Sequence, residues 1–243
     1  MDHEAADYRR IAYFGGSFDP PHRGHLAVAR AARNALGLDL VLFAPVGAQP
    51  LKPLGSKAGF DDRLAMTRLA IAGKPGFEIS LADAPASESE PSRTPNYTID
   101  TLLGLREELP IGVQLFCLMG ADSFLGLQRW HRGAEIPFIA PLIVASRPGQ
   151  SLEDLAPVLP AGLSIDTDPV YASESDGAQV RCYTLGNADG ATTPFYLLPG
   201  LHIEISASEI RRQVRAARGR LAAGHELLPE AVAEYIALHG LYR

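Results

Sequence analysis

Over its first 146 residues the chain alternates short apolar runs with longer segments of helical spacing. Ile11–Phe14, Leu40–Ala44, Phe77–Leu81, Val113–Leu118 and Leu142–Ser146 read as strands, mostly continuous in their apolar character. Between them, His25–Leu36 carries apolar residues at Leu26, Ala29 and Ala32 and closes at Gly37. Asp62–Ala72 is a second helix, with Asp61 as its candidate N-cap and Gly73 just past its end; Tyr97–Leu109 is a third, stopped by Pro110. Apolar strands separated by helices predict an α/β fold with a doubly wound parallel sheet covered on both faces. Ligands in such a sheet bind beyond the carboxyl ends of the strands.

The pattern loosens between Gly149 and Leu201, where residues 166–176 and 186–193 are rich in Asp, Ser, Gly and Thr. Short strands are possible at Val180–Leu185 and Phe195–Leu198, and residues 166–195 are expected to form a surface insertion, as a hairpin or a disordered linker. Residues 206–243 read as a small C-terminal helical part, residues 1–10 as a flexible polar extension, and 11–243 as a single domain.

Composition narrows the class without naming it. With 47% hydrophobic and 21% charged residues, 243 residues suit a globular chain with a real core. A net charge of −6 offers no global basic field for nucleic acid or an anionic membrane, so an anionic ligand needs a local positive cluster. Cys117 and Cys182 lie far apart, without metal or disulfide spacing, and Cys117 reads as a core residue. No apolar stretch reaches membrane-spanning length and the start of the chain lacks a signal region, so a cytoplasmic protein is expected.

Candidate chemistry is densest just after the first strand, in Gly15-Gly16-Ser17-Phe18-Asp19-Pro20-Pro21-His22-Arg23-Gly24-His25. Glycines let a backbone approach a phosphate closely, and a helix N-terminus offers unpaired N–H groups and a positive dipole end. Two histidines three residues apart share a helix face. The bland alternative is a tight strand–helix turn with two solvated histidines. Further on, Ser206 and Glu209 have capping-box spacing before another helix.

These segments resemble the signatures of the H-x-G-H nucleotidyltransferases, and the long form Gly-Gly-Ser-Phe-Asp-Pro-Pro-His-x-Gly-His is most similar to the bacterial nicotinate-nucleotide adenylyltransferases. The resemblance implies a Rossmann-like fold that transfers AMP from ATP to nicotinate mononucleotide, giving nicotinate adenine dinucleotide and pyrophosphate. It implies that His22, His25, Lys52 and Arg211 are catalytic. It places Gly15, Gly16, Ser17, Phe18, Gly120, Asp122, Ile205, Ser206, Ser208 and Arg211 on ATP, through Ile205-Ser206-Ala207-Ser208-Glu209-Ile210-Arg211 and Leu118-Met119-Gly120-Ala121-Asp122-Ser123. The family often has serine where this chain has Ala207. Asp122 is also a candidate N-cap for the helix after it, and Arg212 is expected to be exposed.

For the acceptor, Pro95-Asn96-Tyr97-Thr98 and Trp130-His131-Arg132 resemble two family segments. They imply that Tyr97, Thr98, Trp130 and His131 meet the mononucleotide, with Lys52, Arg63 and Arg147 for its charges. Trp130 reads as a ring-stacking residue, with core filling as the alternative. No dedicated protein metal site is expected; Mg²⁺ is expected on the ATP phosphates. Partners are expected to be ATP and nicotinate mononucleotide, without nucleic acid or membrane, in a monomer or small homo-oligomer. The rival readings are an adenylyltransferase acting on nicotinamide mononucleotide or phosphopantetheine, and an inert nucleotide-binding regulator.

Overall fold

The computed structural model describes residues 8–51, 55–85, 95–146, 156–166, 168–175, 178–199, 205–217 and 226–243. Its strands are β1 (Arg10–Gly16), β2 (Leu40–Pro45), β3 (Phe77–Ile79), β4 (Gln114–Gly120), β5 (Leu142–Ala145), β6 (Leu163–Ile165), β7 (Tyr171–Ser175), β8 (Ala178–Asn187) and β9 (Thr192–Leu198). The helices are α1 (Arg23–Leu36), α2 (Phe60–Ile71), α3 (Thr98–Glu108), α4 (Ala121–Leu125), α5 (Ile136–Ile139), α6 (Ala207–Ala216) and α7 (Glu230–His239).

All the strands join one sheet in the order β3-β2-β1-β4-β5-β9-β8-β6, with β7 pairing β8 beside β6. The six strands from β3 to β9 are parallel, and β8 returns antiparallel to β9. Side chains alternate across this sheet. Ala12, Phe14, Phe43, Leu118 and Leu198 meet residues of α1, α2, α6 and α7 on one face. Ile11, Tyr13, Cys117, Met119 and Leu197 meet residues of α3, α4 and α5 on the other. Both faces are therefore dry, which is why the strands carry apolar residues at successive positions. The order reverses between β1 and β4, and a crevice opens at their carboxyl ends.

Several boundaries differ from the sequence reading. Helix α1 starts at Arg23, and His22 is its N-cap in extended geometry; Gly37 closes it in the left-handed region at φ 57°. Gly59 rather than Asp61 caps α2, so Asp61 and Asp62 fall in the first turn, where acidic side chains suit the helix dipole. Residues 178–195 are not a surface excursion. β9 pairs in parallel with β5, and Val180, Leu185, Phe195 and Leu197 are buried in the two core layers. The strands expected at Val180–Leu185 and Phe195–Leu198 form within β8 and β9, but the polar loops on either side hide that they belong to the core sheet. At the other end, residues 1–7 of the expected extension lie outside the described residues. Arg10 already belongs to β1, and the N–H groups of Arg9 and Arg10 donate to Asp39 at 2.8 and 2.9 Å.

Candidate active site

Two chambers meet at the crevice and share the wall Gly15, Gly16, Ser17, Asp122 and Ser123. The histidine chamber, about 460 Å³, is lined by His22, His25, Phe18, Gly120, Ile205, Ser206, Ser208 and Arg211. The tryptophan chamber, about 690 Å³, is lined by Trp130, Tyr97, Thr98 and His131. Residues separated by most of the chain are thus arranged around one glycine-rich partition.

The partition has little slack. A Cβ at Gly15 would lie 2.1 Å from the Tyr13 hydroxyl, and one at Gly16 would lie 3.2 Å from the Phe18 ring. Phe18 itself is buried with φ 46°, a left-handed conformation that a bulky side chain adopts only when its surroundings hold it there. Its ring packs edge-on against His25 at 5.0 Å. The Ser17 hydroxyl accepts a hydrogen bond from the Gln49 amide at 2.8 Å.

His22 and His25 stack at 3.7 Å between ring centroids. His25 Nδ1 accepts the backbone N–H of His22 at 3.1 Å. Burial lowers the His22 pKa to about 4, and burial together with His22 takes His25 well below its ordinary value. Near neutral pH both rings are therefore uncharged.

Arg211 is aimed by two acceptors: its guanidinium donates to the Asp19 carbonyl at 2.6 Å and to the Ser208 hydroxyl at 3.0 Å. Ser206 caps α6 by accepting the Glu209 N–H at 3.1 Å. Only half of the capping box forms, because the Glu209 carboxylate pairs with Arg212 and Gln213. Arg212 is exposed, as expected. The Asp19 carboxylate is buried and filled, accepting the N–H groups of Lys57 (2.6 Å) and Ala58 (3.1 Å) and the Tyr242 hydroxyl (2.7 Å). The end of the chain thereby braces the loop that starts α1.

Arg63 departs from its expected role. It is 2% exposed and lies beneath the glycine loop, donating to the Ser17 carbonyl at 2.8 Å and to the Ala58 carbonyl at 3.3 Å. It lines neither chamber, because the fourth position of α2 faces the core, and burial lowers its pKa. It supports the loop from below. Asp122 is exposed in the first turn of α4, whose N-cap is Gly120, so the capping alternative for its side chain fails. Lys52 and Arg147 lie outside the described residues.

In the tryptophan chamber, Tyr97 caps α3 in extended geometry and its ring lies 4.4 Å from that of His131. Trp130 follows a single 3₁₀ turn, Leu127–Arg129, in extended rather than helical conformation, and is half-buried at the chamber wall. Its ring also packs against the core layer beneath α3 to α5. The deep end of the chamber holds residues that sequence reasoning missed. Asp83, 1% exposed, accepts hydrogen bonds from the Tyr13 and Thr101 hydroxyls, and burial raises its pKa against those donors. Cys117 is buried as expected but also lines the chamber, its thiol pushed up to about 12. Lys57 reaches the histidine chamber from the loop before α2. Tyr13, Cys117 and Asp83 carry no motif: the first two read only as strand residues, and nothing in the spacing singles out Asp83.

A buried, glycine-walled double cleft at the switch point of a parallel sheet defines a protein that brings a nucleotide and a second substrate together. The cytidylyltransferase-like family matches residues 13–213. A relative from Gloeobacter violaceus is 39% identical over 233 residues, covering 96% of each chain. Another from Laribacter hongkongensis is 39% identical over 234 residues, covering 96% of this chain and 94% of its own. Both carry the name "Probable nicotinate-nucleotide adenylyltransferase". The fold matches that of Plasmodium falciparum nicotinic acid mononucleotide adenylyltransferase complexed with NaAD, with TM-score 0.65 and 19% identity over 97% of this chain and 98% of that one. The chain belongs to the nicotinate-nucleotide adenylyltransferase family.

Proposed function

We propose that this protein transfers AMP from ATP to nicotinate mononucleotide, forming nicotinate adenine dinucleotide and pyrophosphate in NAD biosynthesis. The observation that carries this reading is the shared Gly15–Ser17 partition, with a stacked histidine pair on one side and an aromatic chamber on the other. ATP lies in the histidine chamber and the mononucleotide in the tryptophan chamber, so the acceptor phosphate meets the α-phosphate across glycines that present only backbone.

An oxygen of the acceptor phosphate attacks the α-phosphorus in line, and the bond to the bridging oxygen breaks to release pyrophosphate. That oxygen is already ionised near neutral pH, the second phosphate pKa being about 6, so no general base is needed. The chain's contribution is positioning and donation to developing charge. His25 has its Nδ1 committed as an acceptor, so the neutral ring carries its proton on Nε2 and serves as a donor. His22 and Arg211 add donors beside it, Lys52 is proposed to do so from its loop, and the N-terminus of α6 at Ser206–Ser208 receives the terminal phosphates. Asp122 stands on the shared wall to accept ribose hydroxyls.

Mg²⁺ fits this cleft as an ion carried by ATP. Among the described residues no cluster of three or more His, Cys, Asp or Glu side chains is assembled, and Asp19 has its carboxylate filled. When bound, the ion would screen the phosphate charges, held mainly by ATP and water, with the Asp122 carboxylate on the shared wall available to one of its waters.

Neither ring stacking on Trp130 nor an apolar wall separates a carboxylate from an amide; donors at the ring substituent do. The first N–H groups of α3, at Thr98 and Ile99, suit both oxygens of a carboxylate and face an amide NH₂ unfavourably. The same experiment tests activity and acceptor: pyrophosphate release from ATP and Mg²⁺ with each acceptor in turn. Nicotinate mononucleotide is expected to exceed nicotinamide mononucleotide in kcat/KM by at least about tenfold, since one mismatched buried polar group costs about 1–3 kcal/mol. Equal values would replace this reading with a dual-specificity enzyme, and ATP binding without pyrophosphate release would make the protein an inert nucleotide binder.

A further inference from the structure

Asp83 is a carboxylate at 1% exposure in the lining of the tryptophan chamber. Its side chain has hydroxyl donors, Tyr13 and Thr101, and no ion pair among the described residues. Hydroxyls stabilise an anion but do not cancel its charge, and a buried carboxylate without a positive partner is strongly disfavoured. The other charged side chains described around the chamber are Asp122, on the partition, and Arg129, which packs with Trp130 against Gly126. The chamber thus has a negative deep end and a positive group on its tryptophan wall.

We propose that Asp83 is a specificity-determining residue, the counter-charge for a cationic aromatic ring bound in the chamber. This inference rests on the acceptor being a pyridine mononucleotide. Such an acceptor carries a quaternary ring nitrogen, whose positive charge is delocalised over the ring, and a carboxylate on the same ring. Charge complementarity orients the two: the ring cation toward Asp83, the carboxylate toward Arg129 and the N-terminus of α3. Tyr13 and Thr101 are positioning residues that hold the Asp83 carboxylate toward the chamber. The Tyr13 ring also lies against Gly15, so the charge at the deep end and the partition are fixed by one side chain.

The test compares two acceptors that share phosphate, ribose and carboxylate but differ in ring charge: nicotinate mononucleotide and its dihydropyridine form, whose ring is neutral. With the wild-type chain, kcat/KM is expected to favour the cationic ring by about tenfold or more, as for charges a few ångströms apart under partial screening. Asp83→Asn, nearly isosteric, should bring that ratio to within about threefold of unity. Tyr13→Phe removes one of the two donors but leaves the carboxylate and Thr101, and should keep most of the wild-type preference, a smaller loss than in Asp83→Asn. The ratio is taken within each variant, so it is insensitive to how much of the protein is folded. An unchanged ratio in Asp83→Asn overturns the inference, as does an equal loss in both variants, which would make the effect one of shape. If the wild type releases no pyrophosphate with nicotinate mononucleotide, it is the proposed reaction that fails.

Discussion

His25 Nδ1 accepts the backbone N–H of His22 at 3.1 Å while the two rings stack at 3.7 Å. One contact caps α1 and fixes the tautomer of the second histidine, because an accepting Nδ1 leaves the proton of the neutral ring on Nε2. The motif's spacing is therefore a means of presenting a neutral donor, held in place by the helix it starts. Four consequences follow from this and the neighbouring contacts.

Replacing His25 with alanine should lower kcat by about 10²–10³, as for loss of a donor aimed at transition-state charge, with a much smaller change in the KM for ATP. Steady-state pyrophosphate release measures both. An unchanged kcat would make the pair purely structural.

The low pKa values of the pair give a signed pH effect. A His22 that titrates near 4 in the fold and near 6.5 when unfolded stabilises the ligand-free protein fully above pH 6.5. That contribution, roughly 3 kcal/mol, is lost as the pH falls toward 4. Bound triphosphate favours the charged rings, so ATP should protect more at pH 5 than at pH 8. Thermal melts with and without ATP across that range check it, and His22→Gln should flatten the ligand-free curve.

Tyr242→Phe removes a hydroxyl that donates to buried Asp19, the residue whose carbonyl aims Arg211. The expected loss is about 1–3 kcal/mol of stability. A raised KM for ATP should accompany it, since Arg211 is anchored on the same residue. Chemical denaturation and ATP titration read the two effects separately.

Exchanging residues 178–194 for a Gly/Ser linker should prevent cooperative folding. The exchange removes β8 and the start of β9, exposes the edge of what remains of β9 and leaves the buried contacts of Val180 and Leu185 unmade. A soluble protein with one sharp melting transition would contradict the placement of these strands in the sheet.

Local signals carried the sequence reading where they were strong. Gly15-Gly16 after an apolar strand, Ser206 ahead of a helix and Gly37 at a helix end are short-range patterns whose physics acts within a few residues. The same is true of the parallel sheet, since strands buried on both faces must be apolar throughout. What the sequence alone did not decide is where a side chain points once helices pack. Arg63 resembled a ligand residue and became a buried support for Ser17, because the face of α2 that carries it meets the loop's underside. Asp83 carries no motif, and it lines a chamber because β1 and α3 bring Tyr13 and Thr101 to it from 70 positions before and 18 after. β8 and β9 were legible as the short strands Val180–Leu185 and Phe195–Leu198, but their place in the sheet was not, because β5, the parallel partner of β9, is brought beside it only in the assembled fold. Residue type and spacing determine local conformation and the list of chemical groups; the contacts that aim, neutralise or bury those groups are long-range, and only the packed chain creates them.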